Sequence, residues 1–184
     1  MQELLFALWF FAPASWANMA PIFANNIPAL KHLTQPLDFG KTFRGKRIFG
    51  SHKTFRGLLS GTTMGFIIAL VQMLLYNNSS WVRSFADQID YSQPRVLLIG
   101  IALGFGALAG DAIKSFFKRQ VGIKPGHGWP PFDQTDFIIG GLVFSAPFVS
   151  FSWTTYVIIL TASALLHPVT NIIGWMLHLK SKPF

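Results

Sequence analysis

Cysteine is absent from the 184 residues, so neither disulfides nor thiolate chemistry can play any part in this protein. Acidic residues are scarce as well, seven Asp and Glu against fifteen Lys and Arg, and charged residues of both signs make up only 12% of the chain. With 51% hydrophobic residues and a positive mean hydropathy, that leaves too little polar surface for an ordinary water-soluble domain. No GxxxxGK[ST] element is present, which disfavours a Walker-type ATPase. Glu3 and no basic residue precede the first apolar run, so a cleaved signal peptide is not expected and the run is read as a retained helix.

What remains is a set of apolar runs punctuated by basic loops. Residues 4–24, 57–76, 96–109, 137–153 and 154–179 are each read as membrane spans. The expected fold is an all-α integral membrane protein of five transmembrane helices, forming one membrane-embedded domain over 1–184. Seven Lys and Arg fall in residues 25–56, four in 111–136 and two at Lys180 and Lys182, whereas only Arg83 and Arg95 fall on the other side. By the positive-inside rule, the N-terminus lies outside and the C-terminus in the cytoplasm of a multi-pass cell-membrane protein. The net charge of +8 is therefore a matter of topology and of an anionic substrate, and nucleic acid is not an expected partner.

Several apolar runs carry residues with a structural reading. Gly57, Gly61 and Gly65 recur every four residues, and Gly100, Gly104 and Gly106 thin a face of the third span; both patterns suit close helix packing. Asn18 needs a polar partner inside the bundle, with a helix-to-helix hydrogen bond favoured over substrate contact. His167 before Pro168, with Asn171 nearby, suits a kinked helix. Residues 77–94 read as a polar connection in which Asp87 and Asp90 are solvated.

The chemistry concentrates in GDAIKSFFKRQVGIKPGHGWPPFDQTD, residues 110–136. Ionisable groups beside a hydrophobic span are costly and point to function. Asp111, Asp133 and Asp136 are hard oxygen ligands suited to Mg²⁺ held jointly with phosphates, and Lys114, Lys118, Arg119 and Lys124 bring the opposite charge. If the helix continues to about Gln120, then Asp111, Lys114, Ser115 and Lys118 share one face, so metal ligand and phosphate clamp would project together. Glycines and prolines from Gly122 to Pro131 then break the helix into a loop able to approach a polyphosphate. From spacing alone, a loop that is basic only to set topology is equally admissible. The other basic segment, PLDFGKTFRGKRIFGSHKTFRG, spaces Lys46, Arg47, Lys53 and Thr54 between glycines, as a loop wrapping anionic oxygens would.

These two stretches resemble the signature of the CDP-diacylglycerol synthases. Ser115, Lys118, Arg119, Lys124, His127, Gly128, Asp133 and Asp136 match one motif, and Lys53, Thr54 and Gly57 match a second. Pro125, Trp129, Gln134 and Arg56 depart from it, and together with Gly110, Asp111 and the short length they make the chain more similar to the CDP-archaeol synthase branch. The resemblance implies a Mg²⁺-dependent enzyme that transfers a cytidylyl group from CTP to a phosphorylated membrane lipid. It implies catalytic and metal roles for Asp111, Asp133 and Asp136. It implies substrate contacts for Lys53, Thr54, Ser115, Lys118, Arg119, Lys124 and His127, to which the loop and helix spacing add Lys46, Arg47 and Lys114, although a histidine among glycines and prolines also suits a plain turn. A lipid phosphate is already nucleophilic near neutral pH, so no activated Ser or Cys is required. A homo-oligomer is compatible with the sequence. The alternative from another class is a transporter or channel for an anionic solute, against which three carboxylates beside the basic groups and the lack of inverted repeats both argue.

Overall fold

The computed structural model describes residues 1–125 and 127–176; the expectations for the C-terminus, Lys180 and Lys182 fall outside these, as do the side chains of His167 and Asn171. Among the described residues six α-helices carry the fold: α1 (Gln2–Ala24), α2 (Phe55–Asn78), α3 (Ser80–Phe85), α4 (Arg95–Gln120), α5 (Phe132–Ser145) and α6 (Trp153–Met176). A short 3-10 helix (Pro28–Leu33) and a two-stranded hairpin, β1 (Thr42–Phe43) with β2 (Lys46–Arg47), lie between α1 and α2.

Apolar side chains face both ways. Phe6, Phe10, Phe11, Leu103, Ile138 and Ile159 are buried between helices, while Leu74, Leu98, Val143 and Leu165 project outward from the bundle. Water would not tolerate so much outward apolar surface, and a bilayer would. Among the described residues three helices are long and apolar enough to cross a membrane, α1, α2 and α4, and the segment Trp153–Leu166 of α6 is a shorter apolar helix.

The expected fourth span, residues 137–153, takes a different form. α5 starts five residues earlier, inside the polar stretch, and stops at Ser145 ahead of Pro147, which has no N–H to continue the ladder. Its 14 residues correspond to about 21 Å at the helical rise, less than the roughly 30 Å of a hydrocarbon core. Asp133 and Asp136 are thereby placed on the first turns of a helix, where negative charge meets the exposed N–H groups.

Two prolines inside α1 show how the bundle satisfies its backbone. Pro13 cannot donate to the Trp9 carbonyl, and buried Gln72 of α2 donates its amide there instead, at 2.5 Å. Pro21 likewise releases the Ala17 carbonyl, which faces Gly61 so closely that a Cβ on that glycine would stand 3.0 Å from the oxygen.

α4 is the central helix, and it is thinned on two sides. A Cβ at Gly104 would stand 2.7 Å from the Gly61 carbonyl oxygen of α2, and one at Gly106 would stand 2.5 Å from the Gly140 carbonyl oxygen of α5. The expected packing role of the α2 stripe therefore holds at Gly61 and Gly65, which meet Gly100 and Gly104 backbone to backbone.

The connection after α2 is more apolar than its composition suggests. α3 turns Val82 and Phe85 inward, Tyr91 follows them into the core, and Trp9 packs edge-on against both Phe85 and Tyr91. Asp87 and Asp90 stay exposed, as expected, with Asp90 accepting from the Ser92 N–H at 3.0 Å.

Candidate active site

The loop before α2 is built around one carboxylate. Asp38 is buried and accepts hydrogen bonds from the backbone N–H groups of Gly40, Phe49 and Gly50, all at 3.0 Å, and from both Nε and Nη2 of Arg47. The hairpin turns at Arg44 and Gly45, both with positive φ, the geometry of a tight two-residue connection. Its tip docks on the end of α4, where Phe43 meets the Phe116 ring and Lys46 donates to the Gln120 carbonyl at 2.5 Å. The base of the loop is clamped by Leu37 N–H donating to the Lys53 carbonyl at 2.7 Å. Thr54 then caps α2 by accepting from the Gly57 N–H at 3.2 Å, which places Lys53 at the head of the helix.

Burial pushes the Asp38 carboxyl up, but the Arg47 guanidinium and the N–H groups of Gly50, Gly40 and Phe49 together hold it well below the usual carboxylate range. Its stabilising contribution is then fully present above the unfolded value near 3.9 and fades only as pH falls through the lower folded value, so the loop is fully supported at neutral pH. Asp38→Asn is expected to lower the thermal transition in detergent, by about 1–2 kcal/mol since Arg47 is partly exposed, with faster proteolytic cleavage in residues 34–54. An unchanged transition and cleavage pattern would show that the loop does not depend on this carboxylate.

Four helix-borne or loop-borne elements then converge. Lys53 donates to Asp111 Oδ2. Lys114, one turn further along α4 and only 14% exposed, places its ammonium 3.1 Å from Asp111 Oδ1, 2.8 Å from Asp133 Oδ1 and 2.7 Å from Asp136 Oδ2. Lys118, a turn beyond, reaches Asp133 Oδ1 at 3.1 Å and the His127 carbonyl at 2.5 Å. Asp133 also accepts from the Trp129 N–H, tying the glycine- and proline-rich loop to the start of α5. The approach of α5 depends on Gly110, whose Cα faces the Asp136 carbonyl too closely to admit a side chain.

Two cavities open on either side of Lys114. One of about 320 Å³ is polar and basic, lined by His52, Lys53, Ser115, Lys118, Arg119 and His127 among others. The other, of about 380 Å³, is an apolar groove between α4 and α5, lined by Ile113, Phe117, Trp129, Phe132, Ile139 and Val143, with Lys114 and Asp136 as its charged residues. A smaller cavity of about 140 Å³ reaches Asn18, His52, Thr54 and Asp111 from the side of α1.

The chain matches a family model described as CDP-archaeol synthase over residues 1–184. It belongs to the CDP-archaeol synthase family. Curated relatives named CDP-archaeol synthase include one from Pyrococcus furiosus, 34% identical with 100% of both chains covered, and one from Methanosarcina barkeri, 39% identical with 82% of this chain and 90% of the relative covered. A solved structure, described as an intramembrane enzyme for archaeal membrane lipid biosynthesis, superposes with a TM-score of 0.73 at 31% identity, covering 92% of this chain and 94% of that one.

In this member of the CDP-archaeol synthase family, the site residues expected from sequence do not all share one place, and Thr54 serves as the α2 cap. Asp111, Asp133, Asp136, Lys53, Lys114 and Lys118 meet in one ion cluster, and Ser115, Arg119 and His127 line the adjoining basic cavity. Arg119 keeps a buried Nε with no hydrogen-bond partner among the described residues. Arg47 and Lys46 sit elsewhere, committed to Asp38 and to the α4 terminus, and Lys124 is exposed. Asn18 makes no helix-to-helix hydrogen bond among the described residues and faces the small cavity instead. His52, shared by the basic and the small cavity, carries no sequence signal except its place beside Lys53. Asp38 was legible only as the single acid in a basic segment.

The donor chemistry suits Mg²⁺, since three carboxylates are already drawn around a shared positive charge. As they stand, no three carboxylate or imidazole groups among the described residues are arranged to hold one ion, and Lys114 occupies their common centre.

Proposed function

We propose that this protein transfers the cytidylyl group of CTP to a membrane lipid phosphate, unsaturated archaetidic acid or a similar phosphatidic acid, yielding a CDP-lipid and pyrophosphate. The observation that carries this reading is that one residue, Lys114, lines both the basic cavity and the apolar groove. A nucleoside triphosphate suits the first, with Lys53, Lys118, Arg119 and His127 around its phosphates. Lipid chains suit the second, with the phosphate head at Lys114 and Asp136. The names of the relatives and the family support the same chemistry.

In this reading an oxygen of the lipid phosphate attacks the α-phosphorus of CTP, the bond to the bridging α-β oxygen breaks, and pyrophosphate carries the electron pair away. The lysines and arginine bind and align the two anions, and no side chain has to become a nucleophile. Asp111, Asp133 and Asp136 would hold Mg²⁺, which supplies charge neutralisation and polarises the phosphoryl oxygens. Incubating the purified protein with α-labelled CTP, Mg²⁺ and each lipid phosphate in turn should move label into lipid and release pyrophosphate. No label in lipid with either substrate would overturn the reading, and full transfer in EDTA would remove Mg²⁺ from it.

We further propose five spans with Met1 outside and the ion cluster at the cytoplasmic face of the cell membrane. Two facts support this orientation: the basic loops gather at one end of the bundle, and Trp9, Phe85 and Tyr91 near the start of α1 pack at the other. Reporter fusions check it. A C-terminal fusion active only outside the cell would reverse the assignment.

A further inference from the structure

Lys114 has three ammonium protons and three carboxylate partners. Its contacts to Asp111 Oδ1, Asp133 Oδ1 and Asp136 Oδ2, at 3.1, 2.8 and 2.7 Å, use its whole donor capacity. The carboxylates are equally engaged. Asp111 takes Lys53 on its other oxygen, Asp133 takes Lys118 and the Trp129 N–H, and Asp136 takes the Phe137 N–H at 2.6 Å, so each of the six oxygens already has a donor. Three ammonium groups and three carboxylates also make the cluster electrically neutral.

A cluster balanced in this way suits neither of its prospective ligands alone. A bare divalent cation would have to displace the ammonium that sits among the three carboxylates. A triphosphate alone would find Lys114 with no proton to offer, beside three negative charges. When cation and triphosphate arrive together, both mismatches vanish, because the carboxylates turn to the cation and the freed ammonium protons turn to phosphate. We propose that Lys114 is the counter-ion of the three carboxylates and exchanges them for phosphate when cation and nucleotide bind, so that it suppresses metal uptake until nucleotide is present. This rests on the cytidylyl-transfer reading for the identity of the phosphate ligand, but its effect on metal uptake can be measured without nucleotide or lipid.

The probe is Mn²⁺, followed by its electron paramagnetic resonance signal against full-length protein in detergent, with no CTP. Wild type should bind Mn²⁺ weakly. Lys114→Gln, which keeps an amide donor and removes the charge, should bind it at least about tenfold more tightly, the size expected for losing one nearby positive charge. Lys114→Arg, retaining that charge, should bind as weakly as wild type. A residue that merely braces the fold would lose metal affinity on substitution, so a gain is diagnostic. If Lys114→Gln does not fold, Lys114→Met, which keeps the unbranched stem and removes the charge, takes its place and should tighten Mn²⁺ binding in the same direction. Mn²⁺ affinity in the Gln variant no higher than in wild type overturns the proposal. Loss of the proposal in this way while wild type still forms CDP-lipid leaves the function standing; absence of CDP-lipid strikes the function instead.

Discussion

Asp111→Asn should abolish most turnover while leaving the protein folded, with CDP-lipid formation falling by about 10²- to 10³-fold, the scale of removing one group that stabilises transition-state charge. Asn keeps the size and shape of the side chain and removes the negative charge that Lys53 and Lys114 share and that a cation would require. The folding cost is limited, no more than about 2 kcal/mol, because both Lys53 and Asp111 retain access to water, at 25% and 23% exposure. The measurement is a Mg²⁺ titration of activity beside a thermal transition in detergent. Near-normal turnover at ordinary Mg²⁺ would remove Asp111 from the catalytic set, and joint loss of fold and activity would assign it to structure.

Gly110→Val should be as damaging by a different route. The glycine Cα lies against the Asp136 carbonyl of α5 and within reach of Gly140, so any side chain there drives α5 away from α4. Asp133 and Asp136 ride on α5 whereas Asp111, Lys114 and Lys118 ride on α4, and the ion cluster exists only where the two helices touch. A displacement of about 1 Å at a reacting centre is enough to cost roughly 100-fold in rate. The expected result is a variant that still inserts and unfolds cooperatively, at a lower temperature, with turnover reduced by at least that factor. Wild-type activity in a folded Gly110→Val protein would show that the contact between α4 and α5 does not position the acids.

Much of this arrangement is legible in the chain itself, because it follows from local rules. Hydropathy and the scarcity of charge mark a membrane protein, and helical spacing alone puts Asp111, Lys114, Ser115 and Lys118 on one face, as α4 indeed does through Gln120. The small-residue stripes announce close packing, although not which helices meet. Spacing fails where the partner is remote in sequence. Arg47 and Lys46 look like phosphate ligands beside glycines, yet Asp38 and the Gln120 carbonyl claim them, and only the folded loop brings those partners near. Residues 77–94 look polar because their composition is, and the single helical turn that buries Val82 and Phe85, with Tyr91 after it, is too short to register as a pattern.

Sequence by itself determined the class of molecule, the family and the residue types of the site, because composition, helical period and motif spacing are properties of neighbours along the chain. Tertiary structure alone decided that α5 begins before Asp133 and stops short at Ser145, that Gly110 admits Asp136 beside Lys114, and that a basic cavity and an apolar groove share one lysine. Those are contacts between segments separated by a loop of unspecified path. Their geometry depends on how closely two backbones approach, a distance set by the absence of a Cβ on one helix and of any obstructing atom on the other.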